Sequence, residues 1–175
     1  MGQPPDDPLI VGLAQGREDA FVALYDRFAD SLFRFAHTLL NSKEDAEDVV
    51  QEVFVSLVRS RNSLAQVDNL RAYLFTSLRN AVTQHARRRK PIQAVSLERI
   101  EEPVDPKTPS TTGDRSFELE QALQRLPFEQ RELVALKIDG ELTFAEIAEV
   151  LNISPNTAAS RYRYALEKLR EVLKE

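Results

Sequence analysis

Residues 143–170 read TFAEIAEVLNISPNTAASRYRYALEKLR, and this stretch has the pattern of a helix-turn-helix. Apolar residues recur at i, i+3, i+4 and i+7 from Phe144 to Leu151, which predicts one short helix with a single apolar face. The pattern then breaks at Ser154, a favourable N-cap residue. Pro155 suits the first position of a second helix, because its missing N–H is not needed there.

The second helix of this motif has one apolar and one polar face. The apolar face is predicted to bury Ala158, Tyr162, Ala165, Leu169 and Val172. The polar face places small polar groups near the helix N-terminus with arginines behind them, which suits base edges and phosphates in a DNA major groove. The candidate DNA contacts of this helix are Asn156, Thr157, Ser160, Arg163 and Tyr164 on the polar face, together with Arg161. An ordinary helical hairpin is the alternative for this segment alone.

Composition narrows the class of protein. The chain has 175 residues, 42% of them hydrophobic and 29% charged, and it contains no cysteine. Disulfides, thiolate chemistry and cysteine-ligated zinc are therefore excluded. No apolar run approaches the roughly 20 residues of a membrane helix, and the first residues lack the basic start of a secretory signal. We expect a cytoplasmic protein with no membrane contact of its own.

Positive charge is concentrated in one segment of an acidic chain. The formal net charge is −5. Residues 59–90 nevertheless hold eight Lys or Arg and one Asp, whereas residues 1–58 hold four Lys or Arg and eleven Asp or Glu. Because salt confines surface potentials to roughly 10 Å, a polyanion would respond to the basic segment rather than to the sum.

The chain is predicted to be all-α, with two small helical domains and no strand. Residues 91–115 hold four of the nine prolines and a Ser-Thr-Thr-Gly run. A structureless gap of this length is uncommon inside one domain, so we assign these residues to a flexible linker, with a packed loop as the alternative. The domains are then residues 1–90, with three main helices, and residues 116–175, with four.

The three main helices of the first domain are predicted over Asp19–Leu40, Lys43 to about Arg59, and Asn69 to about Arg89. Ser42 is the expected N-cap of the second. The expected buried residues are Phe21, Leu24, Tyr25, Phe28, Leu32, Phe35, Ala36 and Leu39 in the first, Ala46, Val49, Val50, Val53 and Leu57 in the second, and Leu70, Tyr73, Leu74, Ser77 and Ala81 in the third.

The second helix should expose an acidic face with an apolar residue at its centre. That face carries Glu44, Glu47, Asp48, Gln51, Glu52 and Val55. An apolar residue surrounded by acids suits docking onto a basic, partly apolar protein surface. A solvated face without a partner is the alternative.

The third helix should expose a basic face that includes an aromatic residue. Phe75 would be a platform for an unstacked base, polar side chains would reach its edge, and arginines would neutralise phosphates. This combination favours single-stranded or locally opened DNA. The candidate residues are Phe75, Thr76, Arg79, Asn80, Thr83, Arg87, Arg88, Arg89 and Lys90. The alternative is a basic helix end that complements the helix dipole, with Phe75 packed inside.

Taken in order, these segments resemble a known family. LYDRFADSLFRFAHTLL, DAEDVVQEVFVSLVR and NLRAYLFTSLRNAVTQHARRRK, followed by a C-terminal helix-turn-helix, are similar to the extracytoplasmic-function class of bacterial RNA polymerase sigma factors. The resemblance covers nearly the whole chain except the first dozen residues and the linker. It implies a binding protein without catalysis or cofactor, whose partners are core RNA polymerase and promoter DNA.

The resemblance also implies roles for residues. The polymerase-binding helix would act through Asp45, Asp48, Gln51, Glu52 and Val55. The third helix would engage and melt the −10 element, with Asn80 touching the extruded base, and the loop 60–68 would complete the base pocket. The second domain would bind the −35 element and the polymerase flap. Regulation by an anti-sigma factor is usual in this class, although no residue here indicates it.

The reading helix departs from the family pattern. Many relatives have a basic residue where Ala159 stands, and arginines where Tyr164 and Leu166 stand. The sequence therefore leaves −35 affinity and preference open.

Three other functions compete with the sigma factor. A sigma-like decoy that titrates an anti-sigma protein would need neither Asn80 nor the arginines. A stand-alone helix-turn-helix regulator would leave the acidic face unexplained. An enzyme would depend on His37 or His85, but neither has a nucleophile motif, acid–base partner or metal-ligand spacing around it. We therefore expect no enzyme activity and no metal site.

Overall fold

A computed structural model describes residues 8–89 and 115–174, with side chains over 8–88 and 118–174. Two compact units divide the chain, residues 1–88 and residues 89–175. Every regular element in the described ranges is a helix, so the all-α prediction is confirmed. The predicted linker, residues 91–115, lies outside the described residues except for Arg115, where a helix begins.

The first unit contains five helices in its described residues: α1 Pro8–Ala14, α2 Glu18–Leu40, α3 Lys43–Arg59, α4 Arg61–Leu64 and α5 Leu70–Arg89. The three predicted helices are confirmed to within a residue at each end. Helices α1 and α4 were not predicted, because seven and four residues are too short to show a helical period. Helix α3 begins as predicted, with the Ser42 side chain accepting from the Asp45 backbone N–H at 3.3 Å.

One apolar stripe on each of α2 and α3 forms most of the core of this unit. All five residues predicted to be buried on α3 are buried: Ala46, Val49, Val50, Val53 and Leu57. Six of the eight predicted for α2 are also buried, and Phe21 is half-buried. Tyr25 was predicted to be buried but is 57% exposed. Its ring packs at the edge of the core instead, with its centroid 5.1 Å from that of Phe54.

The prediction for α5 was correct for Leu70 and Leu74 but wrong about the rest of the buried face. Phe75 is fully buried (0% exposed) and meets the ring of Phe35 edge-on, with centroids 5.5 Å apart. The buried side chains of α5 are Leu70, Ala72, Leu74, Phe75, Leu78 and Val82. The predicted Tyr73, Ser77 and Ala81 are half-buried at the border. The face that contains Phe75, Leu78 and Val82 removes more apolar area from water, and this decides how the helix is rotated.

The second unit contains four helices in its described residues: α6 Arg115–Gln124, α7 Phe128–Ile138, α8 Phe144–Leu151 and α9 Pro155–Val172. Its core joins α6, α7 and α9 through Ala122, Leu126, Val134, Ala165 and Leu169. The predicted breaks at Pro127 and Asp139-Gly140 are confirmed. A Cβ on Gly140 would lie 2.5 Å from the carbonyl oxygen of Leu136, so this turn has no room for a side chain.

Helices α8 and α9 form the predicted helix-turn-helix. The Thr143 side chain accepts from the Glu146 backbone N–H at 3.2 Å, and the Glu146 carboxylate accepts from the Thr143 N–H at 2.7 Å. This capping box starts α8, and Asn152 ends it in the left-handed region at φ 53°. Ser154 caps α9 by accepting from the Thr157 N–H at 3.0 Å, with Pro155 next in the chain. The turn between the two helices is therefore fixed by local hydrogen bonds.

Truncation of Phe75 tests its burial. We expect Phe75→Ala to lower the free energy of unfolding of the first unit by about 3–5 kcal/mol, because it leaves a cavity beside Phe35. Hydrogen exchange of α2 and α5 amides in the full chain under increasing urea measures this unit separately. Asn80→Ala, exposed on the same helix, is the control and should stay within about 0.5 kcal/mol of wild type. Equal stability of the two variants would contradict the burial of Phe75.

Candidate protein and nucleic-acid interfaces

The outward face of α3 is acidic with an apolar centre. Asp48, Gln51, Glu52 and Val55 are all exposed, Val55 to 42% of its surface. They lie opposite the buried apolar stripe of α3, which consists of Ala46, Val49, Val50, Val53 and Leu57. Val58, 45% exposed, extends the apolar area toward the end of the helix. The structure therefore brings together four of the five residues predicted to bind the polymerase.

Asp45, the fifth, does not lie on this face. It is 5% exposed, and its Oδ1 atom lies 3.1 Å from Nε2 of His85 on α5. Asp45 precedes the buried Val49 by one turn, which turns its side chain toward the inside of the unit. Its prediction as a polymerase contact is therefore corrected, because a docked protein cannot reach a carboxylate enclosed between two helices.

As far as its side chains are described, the outward face of α5 carries polar and basic groups and does not include Phe75. Asn80, Arg87 and Arg88 are exposed, and Arg79 is half-buried. The burial of Phe75 overturns its prediction as a stacking platform for a base. Lys90 and the side chain of Arg89 lie outside the described residues. The face that remains can hydrogen-bond a base through an amide and hold phosphates through guanidinium groups.

The two threonines predicted to contact DNA from α5 use their hydroxyl protons within the helix. Thr76 Oγ1 donates to the carbonyl oxygen of Ala72 at 2.8 Å, and Thr83 Oγ1 donates to that of Arg79 at 2.9 Å. Both side chains are half-buried. A hydroxyl in this state still accepts hydrogen bonds, so these residues can receive a base amino group but have no free proton for a phosphate.

The segment between α3 and α5 is ordered by local hydrogen bonds and one apolar anchor. The side chain of Ser63 donates to the carbonyl oxygen of Ser60 at 2.7 Å. Asn69 caps α5 by accepting from the Ala72 N–H at 3.0 Å. Leu64 is fully buried and fixes α4 to the unit, while most of its neighbours in this loop are exposed. The loop therefore presents polar side chains from a fixed backbone.

The exposed side of α9 begins at its N-terminus. Asn156, Arg163 and Tyr164 are exposed, and Thr157 and Ser160 are half-buried. The guanidinium of Arg163 lies 5.8 Å from the centre of the Tyr164 ring. These residues recur at three- and four-residue intervals, so they line one side of the helix. The α9 candidates other than Arg161 therefore share one accessible surface.

Arg161 faces α7 instead. Its Nη1 atom lies 3.0 Å from Oε2 of Glu129. This pair ties the helix proposed to read DNA to the rest of its unit. Helical periodicity did not reveal it, because Glu129 comes from another helix and is far away in the sequence.

His37 and His85 each lie against another side chain. His37 stacks on Phe33 with ring centroids 5.7 Å apart, and His85 faces Asp45. No group of three or more His, Cys, Asp or Glu within residues 8–89 and 115–174 could hold a metal ion. None of the helices in these ranges is long and apolar enough to cross a membrane.

Two family models match the chain. Residues 24–92 match Sigma-70 region 2, and residues 116–169 match Sigma-70, region 4. The first match contains α3, α4 and α5, and the second contains α8 and α9 as far as Leu169. The surfaces described above therefore fall inside the two matched regions.

Similar proteins and solved structures agree with these matches. The RNA polymerase sigma factor CarQ of Myxococcus xanthus is 32% identical, over 91% of this chain and 92% of its own. The ECF RNA polymerase sigma factor SigW of Bacillus subtilis is 25% identical, over 92% of each chain. The sigma factor RpoE of Bartonella quintana, solved with the anti-sigma factor NepR, superposes with a TM-score of 0.70 at 26% identity, over 88% of this chain and 96% of its own. CnrH, solved with the cytosolic domain of CnrY, gives 0.68 at 25% identity, over 95% of each chain. This chain belongs to the extracytoplasmic-function class of the sigma-70 family of RNA polymerase sigma factors.

Proposed function

We propose that this alternative sigma factor divides its work among three surfaces. The outward face of α3 binds core RNA polymerase, the outward face of α5 with the loop 60–68 recognises and opens the −10 element, and the exposed side of α9 binds the −35 element. The observation that carries this proposal is the acidic, apolar-centred face of α3 in the same unit as the basic face of α5. A regulator that binds only DNA would not need the acidic, apolar-centred face of α3.

The chemistry of α3 supports a protein partner with a basic, partly apolar surface. Asp48 and Glu52 are one turn apart and exposed, with Val55 beside them. Carboxylates at the rim of an interface steer a basic partner and select against acidic ones, while the apolar centre contributes area removed from water. Asp45, enclosed within the unit, takes no part in this contact.

On α5, strand opening would be driven by capture of an unpaired base. Asn80 presents both donor and acceptor groups to a base edge, and Arg87 and Arg88 neutralise nearby phosphates. Base capture offsets an unstacking cost of a few kcal/mol. Because α5 and α9 belong to one polymerase-bound chain, each weak DNA contact raises the effective concentration for the other.

These surfaces bind and position; we propose no catalytic group, cofactor or metal for this chain, and we place its work in the cytoplasm, where the polymerase is. We also propose an anti-sigma protein as a partner, because the similar sigma factor RpoE was solved in complex with the anti-sigma factor NepR. Such a protein should displace core polymerase from the chain in a competition assay, and its purification with the tagged chain from the source cells is the means to find it.

The proposed function is tested with purified core polymerase. We expect core to be retained by the tagged chain and transcription of a genomic DNA pool to start at discrete sites. The aligned upstream sequences then define the promoter. Core retention without discrete starts would leave a decoy as the better explanation, and failure to retain core would leave the stand-alone regulator.

Charge reversal on α3 should abolish polymerase binding. In Asp48→Arg combined with Glu52→Arg, both carboxylates become like charges to a basic partner, so the affinity for core should fall on the order of 100-fold or more. The measurement is a titration of labelled chain with core polymerase.

The control for this variant carries the same change elsewhere. Asp26 and Asp30 are exposed on α2 at the same four-residue spacing. Asp26→Arg combined with Asp30→Arg should keep core affinity within about twofold of wild type, because the exposed side of α2 is not part of the surface proposed to bind polymerase. If both double variants bind core equally well, α3 is not the polymerase-binding helix.

Truncation of Asn80 should slow promoter opening without weakening polymerase binding. Loss of a two-point amide contact to a base is expected to reduce the opening rate about tenfold. Permanganate reactivity of unpaired thymines over time measures this rate. Gln84→Ala, which removes an exposed amide one turn later, should open the promoter at the wild-type rate. Equal slowing by both variants would indicate a general effect of the helix surface rather than base reading by Asn80.

A further inference from the structure

A carboxylate and an imidazole meet between α3 and α5. Asp45 Oδ1 lies 3.1 Å from His85 Nε2, with the two side chains 7% and 20% exposed. The Nε2 atom is itself buried, and none of its described neighbours meets hydrogen-bond geometry with it. Two polar side chains therefore lie close together inside the unit, and one of them, Asp45, is a residue for which the family resemblance implied a contact with polymerase.

On α3, Asp45 occupies a rigid position. It lies in the first helical turn, and its backbone N–H is held by the side chain of Ser42. A carboxylate at this end of a helix is stabilised by the helix dipole and by the free N–H groups of the first turn. Asp45 is thus anchored at the start of α3.

On α5, His85 lies just beyond the last buried apolar residue. The last buried apolar side chain of this helix is Val82, and His85 follows it by three residues on the same side. Gln84, Arg87 and Arg88 are exposed. The contact with Asp45 therefore continues the inward side of α5 into the turns that carry the arginines.

We propose that Asp45 and His85 are positioning residues that hold the last turns of α5 against the start of α3. The pair sets the orientation of Arg87 and Arg88 relative to the polymerase-bound helix, and promoter opening depends on it while polymerase binding does not. This inference rests on the proposed function of α3 and α5. It assigns Asp45, the first residue of the DAEDVVQEVF segment, a structural role inside the unit.

Separate measurements of polymerase affinity and promoter opening test the pair. Asp45→Asn and His85→Leu should each keep core affinity within about twofold of wild type and slow opening by about tenfold at saturating polymerase. The double variant should open about as slowly as each single variant, because both substitutions break the same contact. Opening that slows by the product of the two single effects overturns the pairing.

Asp48→Asn is the matched control, since it makes the same chemical change three residues later on the exposed face of α3. It should weaken core affinity by about tenfold and leave opening unchanged once polymerase is saturating. If Asp45→Asn weakens core affinity as much as Asp48→Asn does, Asp45 acts in polymerase binding and the proposal fails.

Hydrogen exchange of the free full-length chain provides a readout without polymerase. Asp45→Asn and His85→Leu should each accelerate exchange of the amides of residues 83–89 by about tenfold while α2 keeps its wild-type protection. Unchanged exchange in residues 83–89 overturns the link, as does wild-type opening in both variants. If the wild-type chain fails to bind core, the proposed function is wrong, and hydrogen exchange still decides whether the pair holds α5.

Discussion

Burial of one apolar side on each of α2, α3 and α5 determines what the first unit can present to its partners. Once Val49, Val53 and Leu57 turn inward, Asp48, Glu52 and Val55 must turn outward, because a helix has one angular position for each residue. The Phe35–Phe75 contact fixes α5 in the same way and leaves Asn80 on the surface. The packing that stabilises this unit therefore also selects the residues available for binding.

Sequence periodicity predicted α3 well because its apolar pattern allows only one rotation of the helix about its axis. Its apolar residues fall on one stripe, and all six residues predicted for the outward face, from Glu44 to Val55, are exposed. Asp45 was not part of that predicted face, since only the family resemblance implied it as a polymerase contact. Helix α5 has apolar residues around more of its circumference, and its sequence allows two rotations. The choice between them depends on Phe35, which belongs to another helix. This information is tertiary, and the sequence-based prediction of an exposed Phe75 was wrong for that reason.

Helical periodicity also could not predict the polar contacts between helices. The Asp45–His85 and Glu129–Arg161 contacts each join residues more than thirty positions apart. In contrast, the caps at Ser42 and Ser154 depend on neighbours within three residues and were predicted correctly. The capping box of Thr143 and Glu146 was not predicted, although it is equally local, with a glutamate three residues after the threonine. Local hydrogen bonds can be predicted from the sequence, whereas contacts between helices need the fold.

The distribution of charge explains how an acidic chain can act on DNA. The outward face of α3 and the exposed end of α5 have opposite signs within one unit, and screening over roughly 10 Å would let each act on the partner proposed for it. Between them, Asp45 and His85 lie inside the unit, where neither is available to polymerase or to phosphates. In the proposed role of the pair, enclosure of Asp45 against the imidazole of His85 would hold the last turns of α5 in place while leaving the polar and basic side of that helix exposed.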